Sequence, residues 1–151
     1  MTEVSLGKTG ITVNKNGFGA LPIQRIPQDD AVKLVRRAFE RGINFFDTAR
    51  SYTDSEAKLG VALKGIREQV FIATKTPSVT AAGFWNDLET SLRLLQTDYI
   101  DIYQFHNPAF CPKPGDGSGF DRNVHHVADD FAPDPAARSA ADQEDPFHRH
   151  Y

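Results

Sequence analysis

Four residues of this chain have side chains suited to acid–base chemistry and a spacing that would bring them together: Asp47, Tyr52, Lys75 and His106. Three of them directly follow short apolar runs. Ile43-Asn44-Phe45-Phe46 leads into Asp47, Val70-Phe71-Ile72-Ala73-Thr74 into Lys75, and Ile100-Asp101-Ile102-Tyr103-Gln104-Phe105 into His106. Tyr52 stands in the loop just after Asp47. A carboxylate, an ammonium and an imidazole at one rim, with a phenol beside them, can pair with one another and move protons. Taken singly, each has an ordinary reading: Asp47 as a turn or cap residue, Lys75 as a solvated strand end, Tyr52 as a half-buried loop aromatic, and His106 as a structural histidine. Only their convergence makes a site.

The elements between them would supply that convergence. Successive runs lie roughly 30 residues apart, the length of one strand plus one crossover helix, and helical patterns fill the gaps. Parallel neighbours share polarity, so three strand ends would lie at one rim, the catalytic end of a (β/α) barrel. Val4 to Val13 reads as a β-hairpin turning at Gly7-Lys8-Thr9-Gly10, and Asn16–Ala20 as a first barrel strand. A helix follows Pro27, capped near Asp29, with Val32, Val35, Ala38 and Phe39 as its buried stripe and Gly42 as its stop. A second helix starts at Asp54 or Ser55, with Glu56 in its first turn, where the dipole favours negative charge, and Leu59, Ala62 and Leu63 inward. A third starts after Thr80, with Trp85, Leu88, Leu92 and Leu95 as its core face. The last strand spans Tyr99 to Phe105. The expected fold class is therefore α/β, a hairpin followed by (βα)(βα)(βα)β.

Composition narrows the function classes. The chain has 151 residues, 40% hydrophobic and 25% charged, with a net charge of −3. Nothing in that charge points to nucleic acid. Cys111 is the only cysteine, so neither a disulfide framework nor a thiol metal site is expected. No signal-peptide pattern and no apolar run of membrane-spanning length is visible, which makes a cytoplasmic protein the expectation.

Several motifs carry a resemblance together: Gly42-Ile43-Asn44-Phe45-Phe46-Asp47-Thr48-Ala49 with Tyr52, Ser55-Glu56 with Leu59-Gly60 and Leu63, and Phe71-Ile72-Ala73-Thr74-Lys75. Ser91-Leu92-Arg93-Leu94-Leu95 then runs into Asp98-Tyr99-Ile100-Asp101 and His106. In this order and spacing the first 110 residues resemble the N-terminal part of an aldo-keto reductase, closest to the bacterial and archaeal branch. The resemblance implies a (β/α)8 TIM barrel, of which this chain would hold the N-terminal half, and hydride transfer from NADPH or NADH to a small aldehyde or ketone. It also implies a catalytic tetrad of Asp47, Tyr52, Lys75 and His106. Tyr52 would donate the proton, Lys75 would favour its release, Asp47 would hold Lys75, and His106 would orient the carbonyl. Cofactor-binding residues receive no assignment, because in the family most of them come from the half of the barrel that the resemblance does not reach.

The composition changes after Pro108. Residues 111–151 contain no Leu or Ile, five prolines, eight acidic residues and every histidine except His106. Such a segment cannot bury enough apolar surface to offset chain entropy, so it is expected to be a largely disordered tail outside the family domain of residues 1–110. His125, His126, His148 and His150 lie there without a scaffold, and no metal site is expected. Read one base later, the codons possible for Glu144–Tyr151 are compatible with the family's fifth strand, which predicts a frameshift as the tail's origin. The expectation for function is thus an aldo-keto reductase-like oxidoreductase impaired by truncation. The alternative is a non-catalytic fragment or a half-barrel interaction module.

Overall fold

The computed structural model describes residues 2–78 and 80–107. Readings that fall on residues 108–151, including the tail boundary, its disorder, its histidines and its origin, lie outside the described residues. Strands β1 (Glu3–Ser5) and β2 (Thr12–Asn14) form the expected antiparallel hairpin, with Val4 opposite Val13. β3 (Phe18–Gly19), α1 (Gln28–Glu40), β4 (Phe45–Asp47), α2 (Ser55–Leu63), β5 (Phe71–Thr76), α3 (Ala81–Leu95) and β6 (Ile102–Phe105) then follow in strict alternation. The four strands β3–β4–β5–β6 pair in chain order and all are parallel. This is the α/β arrangement expected of half a (β/α)8 barrel.

The helices cover one face of that sheet. Ile23, Val35, Phe46, Leu59, Leu63, Ile72 and Leu95 are fully buried between the two layers. Strand alternation turns every second side chain the other way, so Phe46 and Ile72 enter this layer while Phe45, Asp47, Ala73 and Lys75 face the opposite side. Gly60 sets the approach of α2 to α3: a Cβ there would run into the Leu94 carbonyl oxygen and the Leu95 backbone.

Some local expectations need correction. The cap of α1 is Pro27 rather than a residue near Asp29. Its backbone is extended at φ −55°, ψ 151°, and its carbonyl accepts from Ala31 N at 3.0 Å. Asp29 and Asp30 instead occupy the first turn, where the helix dipole favours them. Trp85 is not core but 45% exposed. The inward face of α3 begins one residue earlier: the Phe84 ring meets Tyr103 at 4.8 Å and Phe105 at 5.5 Å, and Trp85 stands edge-on to Phe84 at 5.3 Å. Strand β5 extends through Lys75 to Thr76, so Lys75 is a strand residue rather than one that follows the strand. β6 starts at Ile102, not Tyr99, because Arg67 takes over the preceding segment. Its guanidinium donates to the Tyr99 carbonyl at 3.0 Å and Asp101 Oδ2 at 2.7 Å, and lies 3.8 Å from the Tyr99 ring centroid.

The expected Thr80 cap of α3 is present, its hydroxyl accepting from Gly83 N at 3.2 Å. Among the described residues no helix is long and apolar enough to cross a membrane.

Candidate active site

Asp47 closes β4, in register with Gly19 on β3 and Ala73 on β5. Lys75 lies one alternation further along β5, so both side chains emerge on the face away from the helices. They meet there: Lys75 Nζ donates to Asp47 Oδ1 at 2.8 Å, to Oδ2 at 2.7 Å and to the Thr48 carbonyl at 2.7 Å. An ammonium has three protons, and here three oxygens surround it, so its position is over-determined. The lysine side chain is 15% exposed and the aspartate 35%, which leaves the pair at the rim rather than in the core.

The chain beyond Asp47 continues to follow β5. Thr48 N donates to the Ala73 carbonyl at 2.8 Å and Arg50 N to the Lys75 carbonyl at 2.9 Å. It then reverses in a tight turn, Tyr52 N donating to Ala49 O at 3.0 Å and Ser55 N to Tyr52 O at 2.8 Å. That turn carries Tyr52 back over the rim. Lys75 Nζ lies 5.6 Å from the Tyr52 ring centroid, within reach of the ring's electrostatic attraction for a cation.

His106 arrives from β6. Its backbone N donates to the Thr76 carbonyl at 2.8 Å, prolonging the β5–β6 pairing by one residue. The imidazole stands edge-on to Tyr52, with centroids 5.4 Å apart and planes at 84°. Its Nδ1 is 2.7 Å from the Ser51 hydroxyl. The four residues singled out in the sequence are therefore brought to one rim, linked Asp47–Lys75–Tyr52–His106. The arrangement can hold a cation against a carboxylate, with a phenol and an imidazole beside it.

Sequence reasoning missed the support beneath this rim. Glu56 does lie in the first turn of α2, where the dipole favours it, but it is also fully buried. Its Oε1 accepts from Thr74 Oγ1 at 2.6 Å and Ser91 Oγ at 2.7 Å, and its Oε2 pairs with the Arg50 guanidinium. One carboxylate thus ties α2, β5, α3 and the Tyr52 loop together. Ser55, also buried, does similar service, its hydroxyl donating to the Ala20 carbonyl and meeting Thr48 Oγ1, each at 2.9 Å. The available signal was the Ser55-Glu56 pair itself, the two polar residues that open α2 and belong to the motifs that carry the resemblance. On the next turn of the rim, Thr76 and Ser78 donate to Asp87 Oδ2 at 2.5 and 2.6 Å. Burial pushes the nearby Tyr103 phenol above its ordinary value, with the Asp87 charge adding to the rise and the Thr76 hydrogen bond and Arg50 opposing it. Among the described residues no group of three His, Cys, Asp or Glu side chains could hold a metal ion.

Comparison with known proteins points one way. Residues 15–114 match the family model described as "Aldo/keto reductase family". L-galactose dehydrogenase of Arabidopsis thaliana is 40% identical over 128 residues, which is 73% of this chain and 40% of that protein. The aldo-keto reductase YhdN of Bacillus subtilis is 35% identical over 127 residues, 72% of this chain and 38% of that protein. Among solved structures, a holo-form aldo-keto reductase of Bacillus halodurans superposes with a TM-score of 0.65 at 32% identity, covering 72% of this chain and 43% of that one. The chain spans about two-fifths of the length of the curated relatives it matches.

Proposed function

This chain belongs to the aldo/keto reductase family, and from that membership we propose that it is an oxidoreductase acting on a small aldehyde or ketone, with Tyr52 as proton donor. The single observation that supports this most is the linked set at the rim, above all the Lys75 ammonium held by both Asp47 oxygens and the Thr48 carbonyl. The redox partner in this reading is NADPH or NADH, which when bound supplies a hydride to the carbonyl carbon. The donor set fits that chemistry: reduction of a carbonyl needs one proton at oxygen, and a phenol and an imidazole, the side chains that can give or direct it, stand edge to face with ring centroids 5.4 Å apart. Space is also available, since a Cβ on Gly19, the register partner of Asp47, would meet nothing within 4 Å. No described residue is assigned to holding the dinucleotide.

The residues act in sequence on one oxygen atom. His106 orients the carbonyl by hydrogen-bonding its oxygen. Tyr52 gives up its phenolic proton to that oxygen as the adjacent carbon is reduced. Lys75 places a fixed positive charge beside the phenolate that remains, and Asp47 keeps the ammonium from swinging away. The Glu56–Arg50 pair steadies the loop that carries Tyr52. Positioning dominates such a step, and misplacement of the reacting groups costs orders of magnitude in rate. Because the chain spans about two-fifths of its relatives, turnover by these 151 residues alone is proposed to be low. The cytoplasm is the proposed compartment.

The test is carbonyl reduction by the purified chain with NADPH or NADH and a generic aldehyde. Weak turnover lost in Tyr52→Phe supports the reading, and turnover indifferent to Tyr52→Phe overturns it. Complete absence of turnover favours a non-catalytic half-barrel module, the second reading, which the partial coverage of the relatives also favours.

A further inference from the structure

We propose that Ser51 is a positioning residue for His106: its hydroxyl donates to Nδ1, which fixes the neutral imidazole as the Nε2–H tautomer and aims Nε2–H at the carbonyl oxygen. The proposal rests on the role given to His106 above. Ser51 Oγ and His106 Nδ1 lie 2.7 Å apart although the residues are 55 positions apart in the chain. The contact exists because the Ala49–Tyr52 turn folds back over the end of β6. Two consecutive residues then grip one ring, Ser51 at Nδ1 and Tyr52 against its edge.

The identity of the partner decides the tautomer. A histidine is usually oriented at Nδ1 by a carbonyl or carboxylate, which can only accept and so requires Nδ1–H. A hydroxyl can donate or accept. A neutral imidazole that donates from Nε2 to a carbonyl oxygen has an unprotonated Nδ1, and such a nitrogen needs a donor. Ser51 is the hydroxyl within reach of it, and among the described residues Nε2 makes no hydrogen bond. The hydroxyl therefore donates to Nδ1, and Nε2–H faces the rim. Ser51 itself is exposed, so its replacement leaves the buried layer untouched.

The experiment is nitrogen-15 spectroscopy of the histidine ring nitrogens in the full chain, above the pH at which imidazole is protonated. His106 signals are assigned by their loss in His106→Gln. The expected result is a single Nε2–H tautomer whose Nδ1 resonance is displaced by an accepted hydrogen bond. In Ser51→Ala that displacement disappears and a mixed tautomer population replaces the single one, while Ser51→Thr restores the wild-type pattern. An Nδ1–H tautomer in the wild type, or Ser51→Ala signals identical to wild type, overturns the proposal. The readout does not depend on turnover, so the two failures are separable. Loss of turnover in Tyr52→Phe with unchanged Ser51→Ala spectra sinks only the Ser51 assignment. Turnover indifferent to Tyr52→Phe sinks the catalytic reading, while the spectra still report the hydrogen bond.

Discussion

Replacing Glu56 by alanine should be among the most damaging single changes in the chain, although Glu56 touches no proposed reactant. The carboxylate is 1% exposed and serves three partners on three different segments: Thr74 on β5, Ser91 on α3 and Arg50 in the Tyr52 loop. Its removal leaves a guanidinium that is only 18% exposed without its counter-charge, and two buried hydroxyls without an acceptor. Breaking a buried pair by deleting one partner costs about 3–5 kcal/mol. Each stranded hydroxyl adds a penalty of up to about 1–3 kcal/mol, which water entering the vacated space reduces. A net loss of about 4 kcal/mol is the expectation, and in a domain of this size each kcal/mol lowers the thermal midpoint by about 4–8 °C. Glu56→Gln keeps the shape and an acceptor oxygen for the hydroxyls, so it should cost only about 2 kcal/mol, the charged part of the interaction. The assay is urea-induced unfolding followed by far-ultraviolet circular dichroism, with Arg50→Met added to close a double-mutant cycle. Coupling between positions 50 and 56 should reach at least about 1 kcal/mol. A cost for Glu56→Ala below about 1 kcal/mol would refute the reasoning, because it would mean that the carboxylate is hydrated or unpaired in solution.

Other outcomes follow from the same packing. Gly60→Ala should destabilise by about 1–3 kcal/mol in the same unfolding assay, since its Cβ forces α2 away from the Leu94–Leu95 backbone; a neutral effect would contradict the close approach. Leu95→Ala should cost about 2–5 kcal/mol, while Trp85→Ala, at a half-exposed position, should cost about 1 kcal/mol or less; reversal of that order would restore Trp85 to the core. Alkaline stability should depend on Tyr103, whose folded-state value is raised chiefly by burial. As pH rises from about 10 toward the raised value, the unfolded state binds fewer protons than the folded one, so stability falls over that window. Tyr103→Phe should remove this part of the alkaline loss, and equal loss in both proteins would count against it. Lys75→Met should leave the Asp47 carboxylate without its ion pair and remove turnover while the chain still folds; retained turnover would exclude the proposed charge role.

By itself the sequence determined the order of elements and the direction of the strands. Apolar runs such as Val70–Thr74, separated by helical patterns, can bury their side chains only as alternating strands and helices, and three such crossovers make the strands parallel. Thr80 as a cap and Gly42 as a stop were readable because their causes are local: a side-chain acceptor for a free N–H, and a positive φ. Shared strand polarity also implied that Asp47, Lys75 and His106 lie at one rim. Periodicity, however, reports which face of an element is apolar only to within a residue, so Phe84 rather than Trp85 turned out to face the sheet. It says nothing about which distant partner a polar side chain meets. Glu56 and Ser91 are 35 residues apart, and Ser51 and His106 are 55 apart. Whether Glu56 is a solvated helix-start acid or a buried ion-pair partner depends on how α2 docks against α3 and the Tyr52 loop. That docking is a property of the assembled layers, and so only the tertiary structure decided it.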